Sequence, residues 1–200
     1  MRQDKPAAFL ANILQQRPLK KRIIAFAPWS SKDDQKDEYG ACVLRPHPNE
    51  PLRLIYAANL PTEYVCNLIE TCNIQNAEVV VRKLTKEESK FNMAHLDSMN
   101  FVLESCLEMG IPMAAIRQCK YRQFFTRNLP PTDRNFKLAM KELGESYRNY
   151  DFKHVLSHKN MVEAFALAKY YEYLLTLDDY ASESLGKDVW YDGSPVVSLN

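Results

Sequence analysis

The arrangement of apolar runs constrains this chain most. Three β-rich runs, "KRIIAFAP" (21–28), "EYGACVLRP" (38–46) and "PLRLIYAANL" (51–60), follow one another, separated by the charged loop "SSKDDQKDE" and the proline-rich turn "RPHPNEP". Connections this short predict an antiparallel meander. The period then changes. Tyr64, Val65, Leu68, Ile69 and Cys72 recur at helical spacing behind Thr62, a capping residue, and "AEVVVRKL" reads as a buried strand. A longer helix is predicted from about Ala94 to Met109, with Leu96, Met99, Val102, Leu103 and Cys106 on one face. Gly110 ends it, and "IPMAAIR" begins a fifth strand. Beyond Arg117 the chain is predicted partly helical on either side of Pro130 and Pro131, and a strong helix, "KNMVEAFALAKYYEYLLTL", runs from about Lys159 to Leu177. This succession describes an α/β protein: a mixed five-stranded sheet covered by helices.

Two hundred residues, 46% of them hydrophobic, suffice for one domain with a real core. The expected division is an N-terminal arm (1–20), a main domain (21–177) and an acidic C-terminal tail (178–200). In the arm Phe9, Leu10, Ile13 and Leu14 would share one side of a short helix. No run reaches the roughly 18 to 20 apolar residues of a membrane span, and the start lacks a secretory pattern, so no membrane contact and a cytoplasmic setting are expected. Cys42, Cys66, Cys72, Cys106 and Cys119 form no CxxC pair and mostly sit in apolar runs, as reduced core thiols do.

The net charge of +1 gives no general pull toward nucleic acid, but charge is unevenly spread. From Arg117 to Lys141 there are seven Lys or Arg against one acid, Asp133; from Tyr170 to Asp192 there are six acids against Lys187.

Four segments, taken in order, resemble the RuvC-like Holliday junction resolvases, which have an RNase H-like fold. "IIAFAPWS" followed by "EYGACVL" has the form of the family's first two strands, with Ala27 where an aspartate stands in the family. "NAEVVVRKL" places Arg82 at the position of a catalytic glutamate. "SMNFVLESCLEMGIPMAAIRQCKYRQFF" is similar to the family's helix, turn, strand and lysine-rich helix. In "NMVEAFALA" the two acidic positions of the last helix are Asn160 and Glu163. The resemblance covers roughly Lys21 to Leu177 and implies an RNase H-like mixed sheet with flanking helices.

It also implies a site of four carboxylates holding two magnesium ions, which need clustered anionic oxygens. Of the four positions only Glu163 keeps an acid, so the expectation is a degenerate former site (Ala27, Arg82, Asn160, Glu163), no bound metal or cofactor, and no catalysis. Nearby acids offer no replacement: Glu78 shares a strand face with Arg82 but stands about 13 Å away. Asp33, Asp34, Asp37 and Glu38 read as a solvated turn, and Asp97 and Glu104 as the outer side of a helix. His154 and His158 have HxxxH spacing without an intervening Glu or a third ligand nearby. A guanidinium can answer a buried carboxylate by hydrogen bonding, so Arg82 or a nearby cation is expected to neutralise Glu163, with Asn160 hydrogen-bonding beside it.

Three functions follow as expectations. The first is a catalytically inactive protein-binding adaptor, with Phe9, Leu10, Ile13, Leu14, Trp190 and Tyr191 as partner contacts; degenerate resolvase frames suit a phage or viral setting, hence a host cytoplasm. The second is a non-cleaving binder of branched or duplex nucleic acid, with Arg117, Lys120, Arg122, Arg127, Arg134 and Lys137 meeting phosphates. In that reading Tyr121, Phe124 and Phe125 either stack on bases or pack into the core. The third is a magnesium-dependent structure-selective endonuclease. The resemblance also admits a homodimer, formed through the helix that carries Leu96, Met99 and Val102.

Overall fold

The computed structural model describes residues 21–28, 38–47, 50–73, 77–85, 93–127, 129–145 and 152–181. Five strands are present among them: β1 (Arg22–Pro28), β2 (Glu38–His47), β3 (Glu50–Pro61), β4 (Ala77–Lys83) and β5 (Met113–Arg117). They form one sheet in the order β3-β2-β1-β4-β5. The β1/β2 and β2/β3 pairings are antiparallel, and the β1/β4 and β4/β5 pairings are parallel. The short connections between the first three strands and the helical connections between the later ones dictate this mixture.

Period-two alternation splits the core into two layers. On one side Ile23, Ala25, Ala27, Cys42, Leu44 and Val80 pack with a long helix near the C-terminus. On the other Ile24, Phe26, Tyr39, Val43, Val79 and Val81 pack under α1 (Val65–Asn73) and α2 (Met93–Glu108). A single turn of 3₁₀ helix at Thr62–Tyr64 precedes α1, and Gly110, at φ 63°, ends α2 as its position predicts.

After β5 come α3 (Gln118–Thr126), α4 (Asp133–Gly144), α5 (Phe152–Ser157) and α6 (Lys159–Ala181). Thr132 caps α4 by accepting from the Asn135 N–H at 3.3 Å. The short α5 is not legible in the sequence. It is held from both sides: Phe152 meets Phe165 of α6 with ring centroids 4.7 Å apart, and it fills the space above Gly144. Helix α6 runs one turn beyond the predicted Leu177. From Asn160 to Lys169 every residue is buried, because the sheet covers one side and α3, α4 and α5 cover the rest.

The start of α6 lies directly on β2. A Cβ at Gly40 would stand 2.0 Å from the Asn160 carbonyl oxygen and 2.7 Å from the Met161 nitrogen. Only glycine admits this backbone-on-backbone approach.

Candidate functional site

Strand pairing gathers the substituted positions at one end of the sheet. Ala27 is level with Gly40 on β2, and Gly40 touches Asn160 of α6. Phe26 is level with Val81 on β4, so Ala27 and Arg82 come next on neighbouring strands. Arg82 alternates with Val80 and Glu78 on the α6 side and is buried. Asn160 and Glu163 are also buried, one turn apart on α6.

Glu163 is fully engaged. Gln118, Tyr121 and Arg122, at i, i+3 and i+4 of α3, converge on it from one helical face. Its Oε1 accepts from Gln118 Nε2 at 2.9 Å, from Arg122 Nε at 2.9 Å and from Arg122 Nη2. Its Oε2 accepts from the Tyr121 hydroxyl at 2.5 Å. Arg122 also donates through Nη1 to Asp133 at 2.6 Å and lies over the Phe136 ring, 4.8 Å from its centroid. Lys159 reaches the other oxygen of Asp133 at 3.3 Å.

Electrostatics follow the contacts. Burial and then Glu163 push the Tyr121 phenol well above its ordinary value, while Arg82 and Arg122 pull against them. Burial works to lower Arg122, but its hydrogen bonds to Glu163 and Asp133 win and raise it. The hydrogen bond from Arg122 holds Asp133 below the usual carboxylate value.

The cation that neutralises Glu163 is thus Arg122 of α3. Sequence reasoning placed Arg122 among the phosphate contacts; the missed signal was the Gln118, Tyr121, Arg122 spacing, which points three donors the same way. Asn160 Oδ1 has no hydrogen-bond partner among the described residues.

The other sequence candidates separate cleanly. Lys120, Arg127, Arg134 and Lys137 are exposed on α3, its end and α4, and Arg117 is half-buried at the end of β5. Tyr121 and Phe125 are core residues, and Phe124 is half-buried against α6. Glu78 accepts from Tyr171 at 2.8 Å and pairs with Lys21. Glu104 is exposed, and His154 and His158 meet edge to face at 5.0 Å. Phe9, Leu10, Ile13, Leu14, Asp33, Asp34, Asp37, Trp190 and Tyr191 lie outside the described residues, as do the side chains of Glu38, Leu96, Asp97 and Met99.

Solved structures share this architecture. Thermus thermophilus RuvC in complex with a Holliday junction substrate matches with a TM-score of 0.58 at 12% identity, over 78% of this chain and 96% of that one. A second Thermus thermophilus RuvC structure matches with a TM-score of 0.50 at 13% identity, over 80% and 95%. The fold is that of the RuvC resolvases. No family model matches the chain, nor does any curated protein.

The RuvC likeness corrects one expectation. The chain was expected not to be an enzyme, yet its structural neighbours are RuvC resolvases, which are enzymes. A substituted carboxylate records a changed ligand set and does not measure activity.

The RuvC-like site itself does not fit a pair of magnesium ions. Both oxygens of Glu163 already accept protein donors, one of them a guanidinium, and Ala27 and Arg82 offer no anionic oxygen. No group of three or more His, Cys, Asp or Glu among the described residues could hold a metal. No described helix is long and apolar enough to cross a membrane.

Proposed function

We propose that this chain binds branched or duplex DNA through the surface formed by α3 and α4. The observation that carries this reading is the exposure of Lys120, Arg134, Lys137 and Lys141 on these two helices and of Arg127 just after the first. Of the two acids on α4, Asp133 and Glu142, Asp133 is bridged by Arg122 and Lys159, so its charge is answered within the protein. Clustered cations of this kind gain affinity by releasing counterions from phosphates. The RuvC neighbour solved with a Holliday junction supports a branched ligand.

Binding of a four-way junction and of a linear duplex, measured by fluorescence anisotropy across a salt series, tests the proposal. A steep loss of affinity between low and moderate salt is the expected result. No binding of either DNA at low salt rejects it. The same samples with added magnesium report cleavage directly.

Protein binding through the N-terminal arm or the C-terminal aromatic residues rests on positions outside the described ones. A pull-down with and without nuclease treatment distinguishes protein partners from nucleic-acid tethering.

A further inference from the structure

One cluster of side chains is used neither by Glu163 nor by the sheet. Phe124 of α3 packs against Tyr170 and Tyr173 of α6, with ring centroids 5.1 and 4.6 Å away. The Tyr173 ring is tilted 35° from Phe124 and 30° from Tyr170, while Phe124 and Tyr170 are 56° apart, so Tyr173 offers the face most nearly shared with both neighbours. One side of the cluster rests on the core, and all three rings are only half-buried.

Its surroundings are cationic. Lys120 is one turn before Phe124 on the same stripe of the helix, and Arg127 follows the last helical residue, Thr126, with φ 51°; both cations are exposed. Helix α3, "QCKYRQFFT", contains no acid. Aromatic faces between cations are the combination that binds single strands: the rings take the bases and the cations take the phosphates. A patch built for an apolar protein side chain would not need flanking positive charge.

We infer that Phe124, Tyr170 and Tyr173, flanked by Lys120 and Arg127, form a stacking site for an unpaired DNA base. The inference deepens the proposed DNA binding, and rests on it, by naming what this surface recognises: a base left without a partner where a duplex branches or ends. Recognition by stacking tolerates any base, because each has a π face.

The test compares three labelled strands of equal length, about twelve nucleotides, within the site sizes of single-strand binders. They are oligothymidylate, an abasic strand of the same charge, and oligouridylate. The full chain should bind oligothymidylate about tenfold more tightly than the abasic strand, the effect of roughly one stacked base. Tyr173→Leu should remove that preference while leaving duplex affinity and the salt slope unchanged. Tyr173→Phe, which keeps the ring, should retain it. Equal binding of the thymidylate and abasic strands by the unmodified chain overturns the inference, even if duplex binding stands. So does a preference that survives Tyr173→Leu. Should Tyr173→Leu fail to fold, the unmodified chain and Tyr173→Phe still decide the matter through their discrimination between the two strands. Tighter binding of oligouridylate overturns the assignment to DNA. A base preference without any duplex or junction binding would instead reject the proposed function and leave the stacking site in place.

Discussion

Arg122 and Glu163 are 41 residues apart in sequence and on different helices, yet the guanidinium gives the carboxylate two hydrogen bonds, from Nε and Nη2. The pair holds α3 to α6 in a buried setting, where Glu163 is 3% and Arg122 12% exposed along the side chain. Removing one partner leaves a charge with reduced compensation. Arg122→Ala is expected to cost about 3 kcal/mol, the lower end for breaking a buried pair, because Gln118 and Tyr121 continue to donate. Urea denaturation measures it. The double variant Arg122→Ala with Glu163→Gln should recover part of the loss, and simple additivity of the two single effects would show that the pair is not coupled.

Gly40→Ala should destabilise by about 1–3 kcal/mol or more, since the new methyl meets backbone rather than a movable side chain. Thermal unfolding followed by circular dichroism checks this. A variant as stable as the parent would mean that α6 does not lie on β2 as described.

Asp133 is 68% exposed along its side chain, so its bridge to Arg122 contributes little, on the order of 0.5 kcal/mol after solvent screening. The sign is fixed by its depressed value: the contribution is present above the unfolded carboxylate value of about 3.9 and is lost as pH falls through the lowered folded value. Asp133→Asn should therefore be slightly less stable than the parent at neutral pH and equal to it in strong acid.

Arg134→Ala with Lys137→Ala tests the proposed DNA surface from α4. If each cation meets one duplex phosphate, the slope of log affinity against log salt should become shallower by about 0.9 for each residue removed. Unchanged slope and affinity would take α4 out of the interface.

Cysteine labelling reads the core independently. Cys119 is exposed and should react first with a thiol reagent. Burial pushes the Cys106 thiol up to about 12 and raises Cys42 and Cys72 as well, so these three should label only on unfolding.

The sheet was legible because its signals are local. The near-continuous apolar runs in "RIIAFAP" and "AEVVVRK" report strands buried on both faces, and short connections fix the antiparallel half. The neighbourhood of Ala27, Asn160 and Arg82 followed from strand order and the resemblance. The partner of Glu163 did not, because both Arg82 and Arg122 carry the same charge and only packing chooses between them. Phe124 was open to two readings for a related reason: a ring that is half core and half surface has no distinct sequence pattern. Helix α5 escaped because its six residues are too few for a periodic signal, and its place is decided by Gly144 and Phe165.

Gly40 has a consequence for assembly as well as stability. Its neighbours on β2 are Tyr39 and Ala41, so a sheet closed one residue out of step would bring a Cβ to the spot where Asn160 and Met161 must sit. Helix α6 could not then seat, and its long buried run would stay in water. The missing side chain acts as a gauge: it lets the last helix close only over a correctly aligned hairpin.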